Sequence, residues 1–87
     1  MRYDKRITGQ IIGRIRTQRG LSQEALSGLA GLDRSHLSVI ESGKKSASVE
    51  TLWRIAEALG MRLSELIGLV EGVHDKKNKL IDETKII

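Results

Sequence analysis

Few side chains in this 87-residue sequence could make or break bonds. The two histidines, His36 and His74, stand far apart, and there is no cysteine. Zinc needs three or four nitrogen, sulfur or carboxylate ligands, and no cluster at metal-binding spacing supplies them. Glu24, Glu41, Glu50, Glu57 and Glu65 are spread along the chain, and no HExxH, GxSxG, phosphate-loop or dinucleotide motif is present. No catalysis, metal or cofactor is expected. The side chains suited to recognition lie together instead, between residues 33 and 46. A guanidinium such as Arg34 can bond both O6 and N7 of guanine, and the Ser35 and Ser38 hydroxyls can bond a base or a phosphate. Val39 offers methyl surface to a thymine methyl, or is partly buried. His36 lies at the edge of this group, within reach of a base or a phosphate. Ser42, Lys44, Lys45 and Ser46 follow, suited to phosphate contacts that set register and salt dependence.

The elements that must position these residues read as helices. Ile7, Ile11, Ile12 and Ile15 recur at the spacing of one helix face, and Gly20 stops that helix. Ser22 can cap a second helix carrying Ala25, Leu26, Leu29 and Ala30 on its apolar stripe, ended by Gly31. Asp33 can cap a third, with Leu37, Ile40 and Glu41 inward and Arg34, Ser35, Ser38, Val39 and Ser42 outward. Gly43 closes it. Ser48 can cap a fourth, with Leu52, Ile55, Ala56 and Leu59 before Gly60, and a fifth runs from about Leu63 to Glu71. No strand alternation interrupts residues 8–72. The fold class is therefore all-α: a compact five-helix domain over 9–72, an N-terminal arm over 1–8 and a C-terminal tail over 73–87, either disordered or dimer-forming. The second and third helices, joined by a short turn around Gly31, have the arrangement of a helix-turn-helix, which lays its second helix in a DNA major groove.

Composition agrees with this reading without proving it. Residues 1–50 carry nine basic and five acidic side chains, and residues 51–87 carry six of each, so the whole net charge of +4 belongs to the first half. A basic half favours a polyanionic partner only weakly. No apolar run is long enough for a membrane span, and no secretory leader is readable. A soluble cytoplasmic protein is expected.

The stretches RTQRGLSQEAL, GLDRSHLSVIESGKK, SVETLWRIAEALG and LSELI, in this order and spacing, resemble the Cro/C1-type helix-turn-helix regulators, the XRE family. LDRSHLSVIESGK also looks like the recognition segment of restriction–modification controller proteins. The resemblance spans about residues 9–68. It implies a lambda-repressor-like DNA-binding domain, prokaryotic or phage-encoded, that acts on double-stranded DNA. Its base-reading positions fall on Arg34, Ser35, His36, Ser38 and Val39. It gives Gln23 a phosphate contact that also supports the first base-reading side chain, with Ser22 beside it at a helix N-terminus suited to an anion. It pairs Arg16 on the first helix with Glu41 at the end of the third in a partly buried ion pair, although Arg16 could also touch phosphate. Two positions depart from the family pattern. Ala47 stands where a proline is usual in the loop before the fourth helix, and Arg62 where a Ser or Thr cap is common before the fifth.

A single such domain reads few base pairs, so a homodimer on a palindromic operator is expected, with half-sites about 34–36 Å apart. Leu66, Ile67, Leu69, Val70 and Val73 are too many for one inner face of a short helix. They either close the core over Trp53 or supply the dimer interface, the reading preferred here, with Leu80, Ile81, Ile86 and Ile87 as a possible extension. Repression and activation stay equally open. The alternative function is an antitoxin-type protein that binds a partner protein through its C-terminal region and autoregulates its operon.

Overall fold

The computed structural model describes residues 3–73, so all of the 73–87 tail but Val73, and with it the expectation of disorder or dimer contact there, lies outside the described residues. Five helices follow one another: α1 (Lys5–Gln18), α2 (Gln23–Ala30), α3 (Arg34–Glu41), α4 (Val49–Ala58) and α5, which runs from residue 63 through residue 73. No strand interrupts them among the described residues, and none of these helices is long and apolar enough to cross a membrane.

The isoleucine stripe Ile7, Ile11, Ile12 and Ile15 forms the buried face of α1. Asp4 caps this helix by accepting the Arg6 backbone N–H at 2.9 Å, so α1 starts at Lys5. The arm expected over 1–8 is therefore partly helix, and Ile7 and Thr8 are buried in the domain. Gly9 lets α1 cross the end of α3 backbone to backbone. A β-carbon there would collide with the Ile40 carbonyl oxygen and lie 2.6 Å from that of Glu41.

On α2, Ser22 accepts the Ala25 N–H at 3.0 Å, and Gly31 closes the helix in the left-handed conformation at φ +70°. Leu26, Ser27 and Ala30 point inward. Leu29 does not: it is 65% exposed, and Ala25 is exposed too. Each sits one residue, about 100° of helix rotation, from an inward neighbour, and the buried stripe on an eight-residue helix is too narrow to take both. On α3, Leu37 and Ile40 are buried. Asp33 occupies the capping position but makes no side-chain capping bond.

The α3–α4 connection is held without the proline. The backbone N–H groups of Lys44 and Lys45 both donate to the Val39 carbonyl, at 3.1 and 3.3 Å, and half-buried Ala47 packs on the core. Ser48 caps α4 by accepting the Thr51 N–H at 3.1 Å. Leu52, Ile55 and Ala56 face inward from α4. Trp53 faces away, 54% exposed, with its indole N–H donating to Glu57 at 2.7 Å, so the core does not close over it. At the start of α5, Glu65 accepts the Arg62 backbone N–H at 2.9 Å, which supplies the reverse half of a capping box where Arg62 offers no capping oxygen.

Candidate nucleic-acid interface

The inner face of α3 is anchored by Leu37 and Ile40, which are essentially inaccessible to solvent. That anchoring turns Arg34, Ser35, His36 and Ser38 to solvent, with Val39 half-buried beside them. An exposed helix face with an arginine, serines and a valine presents a guanidinium able to donate two parallel N–H bonds, rotatable hydroxyls and a methyl patch. Their chemistry matches groups exposed in a major groove. Arg34 is the first residue of α3, so it projects from the end of the helix that enters the groove first in a helix-turn-helix.

A polar cluster at Glu41 adds to this anchoring of α3. Arg16 on α1 donates to both oxygens of Glu41, from Nε to Oε2 at 2.8 Å and from Nη2 to Oε1 at 3.0 Å. Its third nitrogen, Nη1, donates to the Leu21 carbonyl at 2.8 Å. The two side chains are only 18% and 8% exposed. Bidentate geometry and low exposure make this stronger than a surface pair. Gln23, the first residue of α2, donates from Nε2 to Glu41 Oε1 at 3.2 Å. Glu41 therefore gathers α1, α2 and α3 at one point.

Ser22 and Gln23 stand at the positive end of the α2 dipole. The Ser22 hydroxyl acts as the helix cap, and its exposed position keeps it at the surface beside Gln23. Ser42, Lys44, Lys45 and Ser46 are all exposed beyond the end of α3. The Ser42 hydroxyl donates to the Val39 carbonyl at 3.1 Å. Gly43, at φ +77°, has no room for a β-carbon, because the Arg6 backbone lies 2.8 Å from where it would be.

That contact brings in two cations the sequence reading missed. Lys5 donates from Nζ to the Lys44 carbonyl at 3.1 Å, and Arg6 lies against Gly43. Arg6 also pairs with Asp4 at 3.2 Å, and the hydrogen bond and charge of Asp4 raise its pKa above the ordinary guanidinium value. The start of α1 thus extends the Lys44–Lys45 edge. No periodicity could have announced this, since the contact spans 39 residues of chain.

The five apolar residues expected at a dimer interface divide. Leu66 and Val70 belong to the core, because the inner face of α5 needs them against the other helices. Ile67 lines an open groove of about 610 Å³ with Trp53, Met61 and Leu63. Leu69 and Val73 line a second groove, between α1 and α5. Ile67 and Leu69 are about 200° apart around the helix and serve different surfaces.

The sequence profile described as Helix-turn-helix, HTH_3, matches residues 12–66. The chain is 33% identical over 63 residues to the uncharacterised HTH-type transcriptional regulator y4dJ of Sinorhizobium fredii, covering 72% of this chain and 82% of that protein. It is 40% identical over 57 residues to the HTH-type transcriptional regulator PuuR of Escherichia coli, covering 66% of this chain but 31% of PuuR. Among solved structures, the restriction–modification controller protein C.AhdI from Aeromonas hydrophila superposes with a TM-score of 0.70 at 40% identity, covering 72% of this chain and 96% of its own.

Proposed function

The chain belongs to the helix-turn-helix family HTH_3, the XRE-type transcriptional regulators, and on that premise we propose that it is a sequence-specific duplex-DNA-binding regulator acting as a homodimer on a palindromic operator. The carrying observation is the split of α3 into an anchored inner face and an exposed face bearing Arg34, Ser35, His36, Ser38 and Val39. In this reading α3 lies in the major groove. Arg34 bonds a guanine, Ser35 and Ser38 bond bases or nearby phosphates, His36 reaches the rim, and Val39 meets a thymine methyl. Ser22 and Gln23 meet one phosphate run at the α2 N-terminus. Ser42, Lys44, Lys45 and Ser46, joined by Lys5 and Arg6, follow the backbone on the other side. The Arg16–Glu41 pair holds α3 against α1, and Gln23 ties α2 to the same carboxylate.

The second copy docks through the face bearing Trp53 and Ile67. Trp53 is exposed on this face beside half-buried Ile67, and an exposed tryptophan on an open apolar groove is the kind of anchor that protein interfaces use. The 40% identity to a controller protein over nearly that protein's whole length supports a regulator of that kind.

Binding of the full chain to a mixed-sequence duplex, followed by fluorescence anisotropy and sedimentation, tests this reading. The expected result is two chains per duplex and an affinity that falls steeply with salt. Absence of binding even at low salt would overturn the DNA reading, and a single chain per duplex would remove the dimer.

A further inference from the structure

The groove between α1 and α5, about 440 Å³, has Ile11 and Ile15 on one wall and Leu69 and Val73 on the other. Leu69 is 48% exposed. Gly68 and Gly72 lie along the same side of α5, one turn apart, and among the described residues no atom beyond the helix's own backbone comes within 4 Å of where their β-carbons would be. Glycine is among the poorest helix formers. The two glycines relieve no close contact among the described residues, but they leave the α5 backbone open to a segment packing from outside.

The chain continues from Val73, on the lip of this groove. Residues 74–79, His-Asp-Lys-Lys-Asn-Lys, form a polar spacer, and 80–87, Leu-Ile-Asp-Glu-Thr-Lys-Ile-Ile, carry two apolar pairs around Asp82, Glu83 and Lys85, a net charge of −1. We propose that residues 80–87 of the same chain turn back and dock in the α1–α5 groove, with Leu80, Ile81 and Ile86 against Leu69 and Ile15.

Three features favour this occupant. Six spacer residues reach about 20 Å when extended, while the groove along α1 from Ile11 to Gln18 is roughly 10 Å long. Exposed Arg14 stands on the groove's rim, where Asp82 and Glu83 complement its charge. A short tether also holds the segment at an effective concentration on the order of millimolar, which favours the chain's own tail over that of a second copy. The groove lies on the side of α5 away from Ile67, so docking leaves the proposed dimer face open. This inference does not rest on DNA binding.

The chain has no cysteine, so Lys85→Cys places a single nitroxide label on the tail. Methyl resonances of Ile11, Ile15, Leu69 and Val73 are then followed in the full chain without DNA. In one sample, chains carrying both label and isotope are diluted into excess plain protein. In a second, isotope-labelled chains without nitroxide are mixed with nitroxide-labelled chains without isotope. Selective broadening of these methyls in the first sample only is the expected result. Gly68→Leu, which fills the groove from a position with open space, should abolish it. Broadening confined to the mixed sample would assign the groove to a second copy's tail and overturn the proposal. No broadening in either sample, or broadening that survives Gly68→Leu, would overturn it as well.

Discussion

Arg16 and Glu41, twenty-five residues apart, meet in a two-point ion pair that joins the first helix to the end of the third. Glu41 also receives the Gln23 amide, so this one carboxylate ties the motif's two helices to the rest of the domain. Glu41→Ala leaves the Arg16 guanidinium largely buried with only the Leu21 carbonyl as partner. The expected loss is about 3 kcal/mol, the low end for a broken buried pair because Arg16 keeps some solvent. A urea titration measures it. DNA affinity, taken where both proteins are folded, should fall by less, and the reverse ranking would contradict a structural role.

Lys44→Ala and Lys5→Ala should each weaken binding to all duplex sequences alike. Each should flatten the slope of log affinity against log salt by about one. The measurement is a salt series on an operator-like and an unrelated duplex. A loss seen on one sequence only would remove the phosphate role, and an unchanged slope for Lys5→Ala would remove the start of α1 from the footprint.

Gly9 and Gly28 should respond to alanine with opposite signs. At Gly9 the new methyl meets the carbonyls of Ile40 and Glu41, backbone atoms that cannot rotate away. Overpacking of this kind costs about 1–3 kcal/mol or more, and here it also pushes α3 off α1. At Gly28, inside α2, nothing lies within 4 Å, so alanine should stabilise by about 0.5–1 kcal/mol through helix propensity. Thermal melts of the two variants check the pair of signs.

Thr8 is buried at 2% exposure, and its hydroxyl has no hydrogen-bond partner among the described residues. Valine has nearly the same shape and removes the unsatisfied oxygen. Thr8→Val should therefore raise stability by about 1 kcal/mol. A lower melting temperature would mean that the hydroxyl has a partner in solution.

The helices were legible because glycines at 20, 31, 43 and 60 punctuate clean isoleucine and leucine stripes, and all four adopt positive φ. The exposed face of α3 was legible for the same reason: once Leu37 and Ile40 are inward, Arg34, Ser35 and Ser38 must be outward. What escaped depends on local capping geometry, on helix phase and on contacts distant in sequence. Asp4 read as part of an arm because its capping bond shows only in the backbone geometry. Leu29 read as core because it continues the apolar stripe of α2, while its helix phase turns it outward. Lys5 reaches the Lys44 carbonyl only because Gly9 lets α1 lie directly against the end of α3. The apolar run on α5 revealed its length but not its phase, so core Leu66 and Val70 stood together with surface Ile67 and Leu69.

The most direct measurement is selection of binding sites from a random duplex library, run in parallel with the wild-type chain and Arg34→Ala at one salt concentration. The wild type should enrich an inverted repeat with half-sites about one helical turn apart. Arg34→Ala should relax the preference for one guanine in each half-site, by about 1–3 kcal/mol, and leave the other positions intact. No enrichment by the folded wild type would contradict sequence-specific DNA reading, and an unchanged motif from Arg34→Ala would contradict the placement of α3.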